Sequence, residues 1–225
     1  YQTYKGVAFE VPQFLMTCSD SGKQDARNLG VALEPDSPAQ LQKIAEAVVG
    51  HYCDVPVLII TRDAAELRRV YEHLKMVLWD ELREQEQEPL IRLDPGNMEM
   101  ECLQERDPES GELLRDEWPK VIDAATRRHG SGDRSYCHIT VTDFFGGRGH
   151  DYSCNDTRAN LNGGLLVIAT SIPDTREWIQ WKGRTARQDK PGQYKVILSR
   201  DDDAFQDRDV LQRFISLKSD DEKID

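Results

Sequence analysis

The apolar positions of this chain fall into short continuous runs separated by longer stretches with a helical repeat. After a polar lead-in, Ser37-Pro38-Ala39-Gln40 has the form of a helix start. Ser37 is the expected cap, Pro38 the first helical residue and Gln40 the reciprocal capping side chain. Leu41, Ile44, Ala45, Val48 and Val49 then recur at the spacing of one buried helix face. "VPVLIIT" (55 to 61) is short, apolar and rich in β-branched residues, as a strand covered on both sides must be. Asp63 with Glu66 opens a second helix, carried by Leu67, Val70, Tyr71, Leu74 and Val77. "PLIRLDP" (89 to 95) predicts a weaker strand, and 96 to 117 an irregular or partly helical segment. A short helix follows over 118 to 129, with strands at 136 to 142 and 163 to 170. "PDTREWIQWKGR" (173 to 184) predicts a helix capped by Asp174 with Glu177. A strand at 193 to 199 and a helix through Phe205, Val210, Leu211 and Phe214 complete the pattern.

Strand and helix alternate throughout. That order implies an α/β fold: a mostly parallel sheet joined by right-handed crossovers, with helices on both faces. It divides the chain into a lead-in (1 to 35), one lobe (36 to 216) and a tail (217 to 225) whose charge predicts disorder. In such sheets ligands bind beyond the carboxyl ends of the strands, which is where the pattern places the chemistry described below.

Composition narrows the picture. A hydrophobic content of 38% supports a real core. No apolar run reaches the ~20 residues of a membrane span, and the start lacks a secretory leader pattern. Five cysteines without a CxxC pair argue against zinc or a disulfide framework. They favour a reducing compartment, cytoplasm or organelle stroma. The five histidines show no metal-ligand spacing, so no metal is expected. The formal charge is −12, yet it is unevenly spread. Residues 80 to 117 hold fourteen acidic side chains against four arginines, whereas 142 to 200 hold nine Lys and Arg against six acidic residues. The acidic total opposes long polyanions, so nucleic acid is not an expected partner. A local anion fits the basic island better.

Two stretches of that island carry the candidate chemistry. In "TDFFGGRGHDY" (142 to 152), Gly146, Gly147 and Gly149 permit close backbone approach to a ligand. Arg148 supplies a fork of donors, and Asp151 an acceptor suited to sugar hydroxyls or an arginine. In "QWKGRTARQDKPG" (180 to 192), Arg184 and Arg187 share a helix face if the helix continues. Two neighbouring guanidiniums need an anion or carboxylates between them. Asp189 and Glu177 are the plain structural candidates.

Taken together, in this order, the two stretches resemble motifs V and VI of superfamily-two ATPases. The chain is most similar there to SecA, the preprotein-translocating ATPase, in the second RecA-like lobe of its motor. "YKGVAFEVP", "VPVLIITRDAAEL" and "GGLLVIAT" extend the likeness over most of 1 to 205, leaving 80 to 135 poorly matched. The resemblance implies a RecA-like three-layer sandwich. It implies an arginine finger at Arg184, a second motif-VI arginine at Arg187, and polar or turn positions at Gln180, Gly183 and Gln188. It also implies nucleotide contacts from Gly147, Arg148, Gly149 and Asp151. Ala186 departs from the family's usual glycine and His150 from a common threonine, and Trp178 and Trp181 flank Gln180 unusually.

The sequence holds no Walker A loop: "DSGKQD" has Thr17 and Gln24 where glycine and Ser or Thr belong. "WDEL" and "RDEW" follow no strand. The resemblance therefore implies ATP or ADP, with Mg²⁺, held by a first lobe of the same polypeptide to which 1 to 35 would be the linker. Hydrolysis would need both lobes. Preprotein and a membrane translocon would be partners of the whole motor. The alternatives are the C-terminal lobe of an RNA helicase and a catalytically silent interaction module.

Overall fold

The computed structural model describes residues 26–84, 100–103, 118–130, 132, 135–144, 146–147, 150–187 and 190–221. Its sheet has six strands in the order β1-β8-β7-β2-β6-β3, every neighbouring pair parallel. The strands are β1 (Arg27–Glu34), β2 (Val57–Ile60), β3 (Met100–Leu103), β6 (Ile139–Thr142), β7 (Leu165–Ala169) and β8 (Gly192–Ser199). A separate two-stranded hairpin joins β4 (Arg128–His129) to β5 (Tyr136–Cys137). The helices are α1 (Ser37–Val49), α2 (Ala64–Glu84), α3 (Trp118–Ala124), α4 (Thr157–Leu161), α5 (Thr175–Lys182) and α6 (Arg208–Asp221). The chain crosses the sheet one way through α1 and α2 and returns through α3, α4 and α5. With right-handed crossovers the two sets lie on opposite faces. This is the expected α/β, RecA-like three-layer architecture.

The core follows from the apolar runs. Val57, Leu58, Ile59 and Ile60 are fully buried because β2 has β7 on one side and β6 on the other, with a layer on each face. Ile44, Ala45 and Val48 of α1 and Leu67, Val70 and Leu74 of α2 cover the sheet, as their spacing predicts. On α5, Trp178 and Trp181 are both buried, Trp178 edge-on to Tyr194 of β8 with ring centroids 5.1 Å apart. Burial of aromatics this large, rather than helix propensity, holds so short a helix in place.

Several elements differ from the sequence pattern. β1, within the expected lead-in, joins the sheet beside β8. α6 continues to Asp221, into the expected tail. Asp36, not Ser37, caps α1, its carboxylate accepting from Ala39 N at 2.8 Å. Ser37 donates instead to Asp201, and Gln40 turns inward. β3 forms inside the acidic segment read as irregular. The run 136 to 142 splits at His138, whose backbone N–H turns to Arg127 O while its carbonyl accepts from Val57 N. The strand expected from 163 starts at Leu165, because Gly163 and Gly164 take φ of 106° and 74°. A Cβ on Gly164 would lie 2.0 Å from Pro191 O, so the turn is restricted to glycine by space as well as by φ. The predicted strand at 89 to 95 lies outside the described residues.

Candidate functional site

α5 begins at the carboxyl end of β7, where Asp174 accepts from Glu177 N at 2.7 Å, the expected cap. It ends at Lys182, with Gly183 closing the last turn by donating to Ile179 O. Arg184 and Arg187 therefore do not share a helix face. They lie in the turn that returns the chain to β8, fixed by Thr185 Oγ1 donating to Leu165 O at 2.5 Å. Leu165 is the first residue of β7, so the arginines stand at the amino edge of the sheet. The carboxyl-edge placement expected from the sequence applies to the start of α5, not to its basic end.

The connection from β6 to α4 runs past this turn, and the turn's cations fasten it. Arg184 donates through Nε to Gln180 O at 2.9 Å and through Nη1 to His150 O. Arg187 Nη1 reaches the same His150 carbonyl at 3.3 Å and the Asp151 carboxylate at 2.9 Å. Lys190 Nζ donates to Asn155 Oδ1. Three cations spaced three residues apart thus grip 150 to 155 as a strap. Arg187 is paired with Asp151, one of the acceptors expected for an arginine, and Asp189 lies outside the described residues. Arg184 is half-buried, and burial followed by the neighbouring Arg187 holds its pKa below the usual guanidinium range.

Gly146 and Gly147 serve close packing. A Cβ on Gly146 would overlap Thr142, and one on Gly147 would stand 2.5 Å from Trp181 Nε1. Neither has a left-handed φ. Tyr152, fully buried, donates its hydroxyl to Gly146 O at 3.0 Å and ties the loop to the strap. At Gly146 and Gly147 the close approach is to β6 and α5. Arg148, Gly149 and Gln188 lie outside the described residues. Among the expected site residues, Asp151, Gln180, Arg184 and Arg187 are linked through bonds around His150 O, Gly183 closes the helix end beside them, and Gly147 packs against Trp181 of α5.

At the opposite edge of the sheet the side chains knit the strand ends shut. Gln40 Nε2 donates to Thr170 O at 2.7 Å and Ile197 O at 2.8 Å. Glu66, buried, accepts from Arg62 N at 2.7 Å, and burial raises its pKa. Sequence reasoning missed this band, although a glutamine between buried α1 positions was the available signal. Elsewhere His129 Nε2 and His138 Nδ1 lie 3.2 Å apart. Cys137 is pushed up to about 12 by burial, which makes it an inert thiol. Among the described residues no group of three or more His, Cys, Asp or Glu is placed to hold a metal, and no helix is long and apolar enough to cross a membrane.

No protein-family model and no curated protein matches the chain. Among solved structures it is similar to a DUF1998 helicase, MrfA, crystallised bound to DNA, with 11% identity and a TM-score of 0.48. The likeness covers 83% of this chain and 21% of that one, so the chain spans about a fifth of that protein's length. It is a likeness of fold at most and assigns no role.

Proposed function

We propose that this chain is the second RecA-like lobe of a two-lobe, ATP-driven motor of the SecA-like kind, meeting through its 184–190 turn a nucleotide held by the first lobe. One observation carries the reading. The two stretches singled out as motifs V and VI, more than thirty residues apart, converge on one point, with Arg184 and Arg187 both donating to His150 O. ATP or ADP and its Mg²⁺ would be held by the first lobe. Arg184 and Arg187 would contribute fixed donors toward charge developing on the phosphoryl group. Unfolded protein and a membrane translocon are the partners this reading gives the whole motor, in a reducing compartment.

A second reading has its own observation. The guanidinium donors are engaged by the chain itself, which is what a lobe retained for protein contacts, without catalysis, would show. An RNA-tracking lobe is less favoured, because such surfaces are basic and this chain carries a net −12.

The purified 225-residue chain separates these. Phosphoryl transfer needs positioned magnesium and phosphate donors, so the chain alone is expected to hydrolyse ATP no faster than buffer, while the full-length polypeptide turns over. Turnover by the isolated chain that Arg184→Ala abolishes overturns the two-lobe reading. Single-stranded RNA binding that resists physiological salt moves the helicase lobe ahead of it.

A further inference from the structure

We infer that Thr126, in the turn after α3, and Arg128, in β4, are positioning residues for Arg184 and Arg187. They anchor the far side of the strap whose near side takes the two arginines. The inference rests on the two-lobe reading and adds what keeps its arginines in place.

The two sides of the strap are held by different parts of the fold. On the near side, His150 O accepts from Arg184 and Arg187, and Asn155 from Lys190. On the far side, Thr126 Oγ1 donates to Ser153 O at 3.0 Å. Arg128 Nε donates to Asp156 Oδ1 at 3.1 Å, and that same oxygen accepts from Ala159 N at 2.6 Å to cap α4. The strap therefore runs between two sets of donors and ends in a helix cap that Arg128 holds. Among the described residues neither Thr126 nor Arg128 bonds to Arg184 or Arg187, so their influence on the turn runs through the strap.

Arg128 is the fixed point of this arrangement. Its side chain is 13% exposed. Its other donors sit on the connection that leads into β2, Nη1 on Cys53 O at 2.8 Å and Nη2 on Asp54 O at 2.7 Å. Nη1 also reaches Ser135 Oγ at 3.2 Å. A planar fork across two successive carbonyls and a carboxylate has little freedom, and lysine cannot reproduce it. β2 is an interior strand, so the end of the strap is set from the middle of the sheet. A group that stabilises transition-state charge must be held to about 0.5 Å, and a misplacement of about 1 Å costs on the order of a hundredfold. Loss of one hydroxyl donor weakens such an anchor about fivefold.

The test begins with amide hydrogen exchange of the 225-residue chain as wild type, Thr126→Val, Thr126→Ser and Arg128→Lys. Thr126→Val and Arg128→Lys are expected to speed exchange of the 184–187 amides about two- to tenfold, while α1 keeps its rate. Thr126→Ser restores the hydroxyl and is expected to match wild type. Unchanged exchange in the turn, or equal acceleration in α1, overturns the inference. In the full-length motor Thr126→Val is expected to lower kcat about two- to tenfold at unchanged KM for ATP, and to add nothing once Arg184 is replaced by alanine. A loss of kcat that persists beside Arg184→Ala overturns it as well. Faster exchange in the turn beside normal turnover of Arg184→Ala keeps the anchoring and removes the two-lobe reading.

Discussion

Ala186 holds φ at 52°, and among the described residues it is the non-glycine in left-handed backbone. Such a conformation costs an alanine about 1–2 kcal/mol. Glycine would relieve that strain and give back about 0.4–1 kcal/mol through the freer unfolded chain. The glycine usual in the resembled family is therefore what this turn asks for. Ala186→Gly is expected to stabilise by roughly 0.5–1 kcal/mol and raise the melting temperature by about 1–3 °C. An unchanged or lower melting temperature by calorimetry would show that the turn is not strained. His138 makes a second residue-scale prediction. It is buried, and burial, then His129 and Arg127, lower its pKa to about 4. The unfolded chain binds a proton there near pH 6.5, whereas the folded chain refuses it until about pH 4. The stability tied to this histidine is intact above the unfolded value and is lost as pH falls through that window. Between about pH 7 and pH 5 the loss should be roughly 2 kcal/mol. Urea unfolding of wild type and His138→Gln at both values isolates it, since effects of Glu66 and Asp202 are common to the two proteins. Equal losses in both proteins would contradict the assignment.

At the scale of elements, the sequence was readable where periodicity and burial agree. β2 is four β-branched or leucine residues with protein on both sides, and its run could mean little else. α5 shows the limit. Its start was legible from Asp174 and Glu177, but its end was not, because Gly183, Thr185 and Ala186 stop the helix through tertiary ties: Thr185 to Leu165 O, and Ala186 against Gly192. That early stop moved both arginines off the imagined helix face and onto the strap. β1 escaped notice because Arg27, Asn28 and Gly30 are exposed and the rest of this edge strand is only half-buried, so its sequence carries no alternation. The cap of α1 was misplaced by one residue, since Ser37 and Asp36 are both capable and the choice was made by Asp201, a residue 164 positions away. The site was thus legible as two stretches. Their mutual geometry, with Asp151 closing on Arg187, was written only in the fold.

For the whole molecule, an acidic chain places three cations, Arg184, Arg187 and Lys190, on one turn, and the fold engages them with a strap at the amino edge of the sheet. Arg184 is the residue at which the motor reading and the structural reading diverge. Its bond to His150 O means that Arg184→Ala frees the strap there, costing about 1–2 kcal/mol. Arg184→Ala is therefore expected to cause a modest loss of stability without unfolding. On the proposed two-lobe account, catalysis would fall on a different scale, because a finger arginine contributes roughly a thousand- to a hundred-thousand-fold to turnover. Lysine cannot reproduce the forked contact and should fail nearly as badly as alanine. The measurement that decides is steady-state ATPase of the full-length motor carrying Arg184→Ala or Arg184→Lys, with melting temperature recorded alongside. The two-lobe account predicts a fall in kcat of at least about a thousandfold with a folded protein. Near-normal turnover, or loss of turnover only because the lobe unfolds, would contradict it.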